Sequence, residues 1–222
     1  MPFELRLLED TPFAGEEAQF DTSVPRAFYT SAGSIEVDGI DYPEDEGFVS
    51  TSAGRSRAGD AGATIWRWEL VPTNTPSESG GVRSILRLSA RVDPSEIADE
   101  LLIRLDSVAF PATGTAMLHT HQGPGIRCLR EGTIRIDTEG RSCSYSPGGP
   151  WFERGPEPVF AQAAMDRPSR FIRAMVLPRA ACLPSVWMNA PSAILSPISK
   201  RLVRSPRMNY LLRRRWTDHG DY

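Results

Sequence analysis

The stretch GTAMLHTHQGPGIRCLREGTIRI, residues 114–136, decides the fold. It predicts short β-strands on either side of a Gly-Pro-Gly turn. It also contains His119 and His121, two of the three histidines in the chain. Residues two apart in a strand point to the same face, so both imidazoles are expected to project into whatever cavity the strand lines.

The remainder of the chain predicts the same kind of element. The 18 glycines and 19 prolines recur every few residues, which disfavours long helices and suits short strands joined by turns. A turn is predicted over Ala58–Gly62, and one short helix over Pro94–Leu102, capped by Asp93 or Ser95. Further strands are predicted at 34–38, 47–50, 64–70, 84–88, 102–108, 151–153 and 171–177.

Three sequence blocks occur in the same order in both halves. GSIEVDG from Gly33 is similar to GTIRIDTEG from Gly132, and PEDEGFV from Pro43 is similar to PGGPWFE from Pro147. The third pair is IWRWELVP, ending at Pro72, and FIRAMVLP, ending at Pro178. These matches predict an internal duplication of a strand-rich unit. Chance similarity among short alternating strands is the alternative.

Residues 110–177 resemble the cupin superfamily. The first cupin motif places a glycine before HxH and closes on a second glycine, which Gly114 and Gly132 match around the two histidines. PGGPWFE from Pro147 matches the opening of the second motif. The resemblance implies an all-β fold, a double-stranded β-helix or jelly roll, with two repeats packed together as in a bicupin.

The predicted organisation has four parts. Residues 1–72 form an N-terminal cupin-like repeat without a metal motif, 73–82 a linker, 83–180 a C-terminal barrel with HxH, and 181–222 a basic extension. The extension is either a solvated tail or an arm that packs on a neighbouring subunit.

The resemblance also implies one divalent metal, iron first, with zinc, manganese or nickel as alternatives. Two usual ligand positions are lost, because the glutamate slot holds Gly125 and the third-histidine slot falls at Val159. Glu153 could replace the carboxylate, although it could also point to solvent, and Gln162 could be a ligand or a donor behind the ligands. The predicted ligand set is His119, His121, Glu153 and Gln162.

Substrate-binding residues are predicted in the same region. Arg127 lies two residues after Gly125 and therefore faces the same way in a strand, where a guanidinium would bind a carboxylate or phosphate. The alternative is an outward arginine paired with a surface acid. Trp151, Phe152 and Phe160 are predicted to line an apolar pocket, with core packing as the alternative.

Composition limits the function classes. A net charge of -3 and a pI of about 5.7 argue against a nucleic-acid partner. The chain has three cysteines without C-x-x-C spacing, and we identify neither a signal peptide nor an apolar span in it. We therefore expect a cytoplasmic protein without membrane contact. Exposed jelly-roll edges favour a homodimer, and no organic cofactor is expected. Three functions remain: a metal-dependent cupin oxygenase, isomerase or lyase, a metal-free small-molecule-binding cupin, or a scaffold acting through the basic tail.

Overall fold

Seven strands of the N-terminal half form one antiparallel sheet. The computed structural model describes residues 2–93, 100–179, 199–202 and 211–213. The strand order is β4-β3-β6-β1-β7, with β2 paired to β6 and β5 to β3. The bounds are β1 Phe3–Asp10, β2 Glu17–Phe20, β3 Arg26–Val37, β4 Ile40–Pro43, β5 Gly47–Ser50, β6 Gly54–Pro72 and β7 Ser84–Val92.

The second half forms two antiparallel sheets that face each other. A six-stranded sheet has the order β13-β10-β15-β8-β16, with β17 also on β8, and a four-stranded sheet has the order β12-β11-β14-β9. The all-β prediction is therefore confirmed. The bounds are β8 Glu100–Phe110, β9 Thr115–His119, β10 Gly125–Glu131, β11 Ile134–Thr138, β12 Arg141–Tyr145, β13 Pro150–Glu153, β14 Val159–Ala163, β15 Ser169–Pro178, β16 Ser199–Leu202 and β17 Leu211–Arg213.

The largest hydrophobic core lies between the first sheet and the six-stranded sheet. Trp68 and Tyr29 contribute to it from the first sheet, and Ile126 and Ala174 from the second, all with no exposed surface. Because side chains alternate along a strand, the other face of each sheet lines the interior of its own barrel. A separate cluster around Leu129 fills part of the second barrel, between its two sheets. A third cluster, which includes Phe28, Phe48 and Ile65, lies on the other face of the first sheet. We call the space enclosed by this sheet the first barrel.

The two halves use the same strand register. Arg26 on β3 lies opposite Glu69 and Ser50. Gly125 on β10 lies in the equivalent place, opposite Met175 and Glu153. Two of the three matched sequence blocks keep this register, whereas PEDEGFV and PGGPWFE are offset by one residue. The equivalent strand pairing of the two halves therefore confirms the predicted two-repeat fold.

The matched glycines of the first block have the same conformation. Gly33 and Gly132 have φ values of 73° and 77°, and a Cβ on either would lie 2.1 Å from a backbone oxygen. Only glycine adopts this region without strain and allows such close approach. Each glycine therefore marks the same bend in its repeat.

Several local predictions are corrected. Ala58–Gly62 is not a turn but part of β6, which bends along β3 through two register shifts. Residues 94–99 of the predicted helix lie outside the described residues, and 100–102 begin β8. β7, assigned from sequence to the second repeat, is hydrogen-bonded to β1.

The described pieces of the basic extension pair with the same chain. β16 and β17 both lie antiparallel to β8, and His219 lies outside the described residues. The predicted four-part division of the chain stays a prediction. Within the described residues, the structure contains no helix that is long and apolar enough to cross a bilayer.

Candidate functional site

Two rows of side chains enter the second barrel from four neighbouring strands. In the upper row, residues opposite one another on β13, β10, β15 and β8 are Glu153, Gly125, Met175 and Arg104. In the lower row they are Trp151, Arg127, Arg173 and Asp106. The residues between the rows, such as Ile126 and Ala174, belong to the core shared with the first sheet. Strand alternation therefore turns both rows into the barrel.

Glu153 is the centre of this polar layer and is buried, so it does not point to solvent. Its Oε1 accepts a hydrogen bond of 2.8 Å from Trp151 Nε1. Its Oε2 lies 2.7 Å from Arg127 NH2 and 3.0 Å from His121 Nε2. Arg127 also donates to the carbonyl oxygen of Gly125 at 2.6 Å. The absent side chain at Gly125 leaves the space into which the guanidinium folds back.

The geometry leaves two of these atoms incompletely bonded. Arg127 NH2 and Glu153 Oε2 are buried and lie within ion-pair distance, but neither takes part in a well-aligned hydrogen bond. Buried polar atoms of this kind are uncommon in proteins and often mark a place where a further group binds.

Burial and charge set the protonation states. Burial lowers the pKa of His121 to about 4, against the opposing effect of Glu153. Burial would raise the pKa of Glu153, but the Arg127 guanidinium and contacts to His121 and Trp151 lower it to about 2. Near neutral pH the layer therefore contains a carboxylate, a guanidinium and a neutral imidazole.

The two histidines lie close together, although β9 ends at His119 and His121 follows outside the strand. Their ring centroids are 4.8 Å apart and the rings are perpendicular. His119 lies opposite Val159 next to a register shift, where Met117 and Leu118 of β9 take the place opposite the single residue Phe160 and are both exposed. His119 Nδ1 donates to the carbonyl oxygen of Met117 at 2.7 Å.

A second ion-pair group lies beside the first. Asp106 accepts from Arg173 Nε and lies 2.8 Å from Arg104 Nε. Among the described residues, Arg104 NH2 donates to the sulfur of Met175, at 3.7 Å. The Arg104 side chain is 29% exposed, whereas Arg127 and Arg173 are buried. Arg104 is thus the arginine of the layer that a molecule entering from solvent can reach.

The other predicted site residues are not all in this layer. Trp151 is inside the barrel, but Phe152 packs against the core shared with the first sheet. Gln162 and Phe160 alternate on β14 with the inward Val159, Ala161 and Ala163, so they lie on the outer face. There Arg135 stacks over the Phe160 ring, with 5.6 Å between its guanidinium carbon and the ring centroid.

The predicted metal ligands do not fit a metal. Gln162 faces away, and Glu153 is held by a guanidinium, a fixed cation beside which a divalent ion would be repelled. Only His119 and His121 remain, and a firm site needs three or more protein ligands. Within the described residues, no group of three or more histidine, cysteine or acidic side chains is arranged to hold a metal.

The site residues predicted from the sequence do not include Arg104, Asp106 and Arg173. The available signal was the position of charged residues inside otherwise apolar strands, LLIRLDSV and FIRAMV. A charge in a strand that is buried on both faces needs a partner inside the barrel.

Solved structures of oxalate decarboxylase have a similar architecture. An oxalate decarboxylase structure from work on proton-coupled electron transfer gives a TM-score of 0.57 at 12% identity, covering 78% of this chain and 68% of that one. The Bacillus subtilis oxalate decarboxylase studied for its Mn(II) centres gives 0.55 at 13%, with the same coverage. A cupin 2 conserved barrel domain protein from Leptotrichia buccalis gives 0.49 at 9%, covering 79% of this chain and 89% of that one.

No protein-family model matches the chain, and no curated protein is significantly similar to it. The structural likeness shows that the chain has an all-β cupin fold. Identities of 12–13% carry the fold and not the chemistry.

Proposed function

We propose that this cupin protein binds a small organic anion in its second barrel and does so without a metal. Arg104 and His121 face the entering molecule, and the buried Arg127 and Arg173 supply positive potential behind them. The observation that carries the proposal is the charge of the inner layer.

Among the described inward residues, three arginines face only two carboxylates, Asp106 and Glu153. His121 is neutral near pH 7 and does not change this difference. An uncompensated positive charge inside a barrel is unfavourable, so one incoming negative charge is stabilised there. The incompletely bonded Arg127 NH2 supports the same conclusion.

The metal-free part of the proposal rests on the position of Arg127. Bacillus subtilis oxalate decarboxylase has Mn(II) centres in a similar fold. In this chain a guanidinium lies against the carboxylate that would be needed as the third ligand. The positive charge that a metal would bring is already supplied by arginine.

Binding is tested by titrating the protein with acetate, oxalate and benzoate, followed by the NMR signals of the His121 ring and by calorimetry. At least one probe is expected to bind with a stoichiometry of one at the second barrel. Arg104→Gln should weaken this binding at least tenfold. The matched control is Arg135→Gln, since Arg135 lies on the outer face of the same barrel, and it should leave binding unchanged. Equal binding by both variants would contradict the proposal.

The metal-free part is tested separately. Protein purified without an affinity tag is analysed by plasma mass spectrometry beside the double variant His119→Ala/His121→Ala. We expect no stoichiometric metal in either. About one metal per chain that disappears in the double variant would overturn this part and restore a metalloenzyme as the working function.

A further inference from the structure

The first barrel has its own arginine layer, in the same register as the second. Arg6, Arg26 and Arg67 all turn inward, and none is more than 7% exposed. The Arg26 and Arg67 guanidinium carbons each lie 4.9 Å from the centroid of the Phe20 ring. Three buried arginines need carboxylates nearby.

Two of the three arginines have carboxylate partners on the strands. Arg67 lies 2.6 Å from both Asp10 and Glu69. Arg6 lies 2.7 Å from Glu4. Arg26 differs, because Glu69 is 3.6 Å away and the Arg26 Nε atom has no directed hydrogen bond.

The close partner of Arg26 comes from outside the sheet. Residues 73–83, here called the cover segment, join β6 to β7 without strand structure. Its Glu78 lies 2.5 Å from Arg26 NH2. The same carboxylate accepts from the backbone amides of Asp21 and Thr22 and from the Thr22 hydroxyl, at 3.1, 3.2 and 2.9 Å. One guanidinium, two amides and a hydroxyl form a complete carboxylate-binding cradle.

The cover segment contacts the whole arginine layer. Ser77 Oγ accepts from Arg6, and the Glu78 carbonyl oxygen accepts from Arg67. A Cβ on Gly80 would lie 3.1 Å from the Phe20 ring, so the segment also covers the aromatic side chain. The Glu78 side chain is nevertheless 26% exposed. The segment therefore lies over the mouth of the first barrel much as a bound peptide would.

We propose that the first barrel contains a carboxylate-binding site at Arg26 that Glu78 of the same chain fills, and that a small carboxylate binds there when the cover segment lifts. The ligand class follows from the cradle, which matches both oxygens of a carboxylate. This site is separate from the anion site proposed for the second barrel.

The test is rescue of a Glu78→Ala variant by acetate. The midpoint of thermal unfolding is measured in 100 mM sodium acetate and in 100 mM sodium chloride, for the variant and the wild type. In the wild type, Glu78 competes at high effective concentration, so its acetate effect reports only the second barrel. For a site with a dissociation constant of about 10 mM, acetate should raise the midpoint of Glu78→Ala by about 3–5 °C more than that of the wild type.

Three further variants complete the experiment. Glu44→Ala removes an exposed carboxylate from Arg130 and should respond to acetate like the wild type. Glu78→Ala/Arg26→Gln should lose the additional rise. If Glu78→Ala does not unfold cooperatively in chloride, Glu78→Gln, which keeps the side-chain length, replaces it. An acetate response equal to that of the wild type in a folded Glu78 variant would overturn the proposal.

Discussion

At the scale of single residues, the contact between Arg127 and Glu153 is the most sensitive point of the second barrel. Both side chains are buried, so removing one charge leaves the other in a medium that solvates it poorly. Glu153→Gln is therefore expected to lower the free energy of unfolding by about 3–5 kcal/mol. Urea denaturation followed by circular dichroism measures this change.

The matched control is Glu44→Gln. Glu44 is 56% exposed and contacts Arg130 at the surface. Exposed ion pairs contribute about 0–1 kcal/mol, so this variant should stay close to the wild type. Equal losses in the two variants would mean that burial does not set the strength of the Arg127 contact.

The protonation of His121 gives a prediction about pH. Its pKa is about 4 in the folded protein and 6.5 in the unfolded chain. Between these values the unfolded state binds the additional proton, so stability is complete above pH 6.5 and falls as the pH approaches 4. Between pH 7 and pH 5 this group should lower the free energy of unfolding by roughly 2 kcal/mol.

His121→Gln should reduce this dependence, because glutamine does not titrate. The measurement is the urea midpoint of wild type and variant at pH 7, 6 and 5. Glu153 does not disturb the comparison, since it loses its contribution only below pH 4.5. Parallel pH curves for the two proteins would contradict the predicted neutral imidazole.

At the scale of elements, the bend at Gly132 is fixed by geometry that a side chain would disrupt. Its φ of 77° is unfavourable for a side chain, and a Cβ would lie 2.1 Å from the Pro168 carbonyl oxygen. Gly140 has a similar φ of 71°, with no heavy atom within 4 Å of the position that a Cβ would occupy. Gly140→Ala should cost about 1 kcal/mol, and Gly132→Ala at least about 2 kcal/mol more, because the backbone must move.

Unfolding of both variants in urea, with unchanged m-values, tests this pair. If both variants lose a similar amount of unfolding free energy, the positive φ alone, and not the close approach to Pro168, determines the destabilisation. The equivalent pair in the first repeat, Gly33 and Gly39, has the same contrast of crowded and open surroundings.

Elements with a clear period of two could be predicted from sequence. Ser34–Val37 was expected from its alternation of apolar and polar residues, and the structure contains it within β3. Gly47–Ser50 and Phe171–Leu177 do not alternate but were also expected to be strands, and they lie in β5 and β15. Ala58–Gly62 was not, because its small residues suggest a turn, whereas the stretch continues β6 through an irregularity in its pairing with β3. The partner of β7 was also unpredictable, since which strand it joins is decided by distant residues.

The candidate site shows the same limit. The proximity of His119 and His121 follows from local spacing. The orientation of Gln162 depends on the register of β14 against β9 and β11, which a single sequence does not contain. The pairing of Glu153 with Arg127 requires β13 to lie beside β10, and this contact replaces the expected metal ligand.

At the scale of the whole molecule, the shared core makes the two repeats one folding unit. Trp68 and Leu7 of the first sheet belong to the same buried cluster as Ile126 and Ala174 of the second. Neither sheet can expose this face to water without losing much of its stability. We expect a single unfolding transition in urea, with tryptophan fluorescence and far-ultraviolet circular dichroism giving the same midpoint.

Trp68→Ala should lower that midpoint, at a cost of about 3–5 kcal/mol, without dividing the transition. Two separate transitions, in the wild type or in this variant, would contradict the single unit. The fluorescence of the remaining tryptophans and the circular dichroism signal together distinguish the two outcomes.

The common register of the two repeats has an evolutionary consequence. In a chain with two copies of a barrel, the inward-facing residues of one copy can change while the other copy keeps the original residues. Where one copy has Arg26, the other has Gly125, and where one has Phe28, the other has Arg127. Such differences at equivalent positions are expected if both barrels descend from one ancestral barrel and each copy has since acquired a separate function.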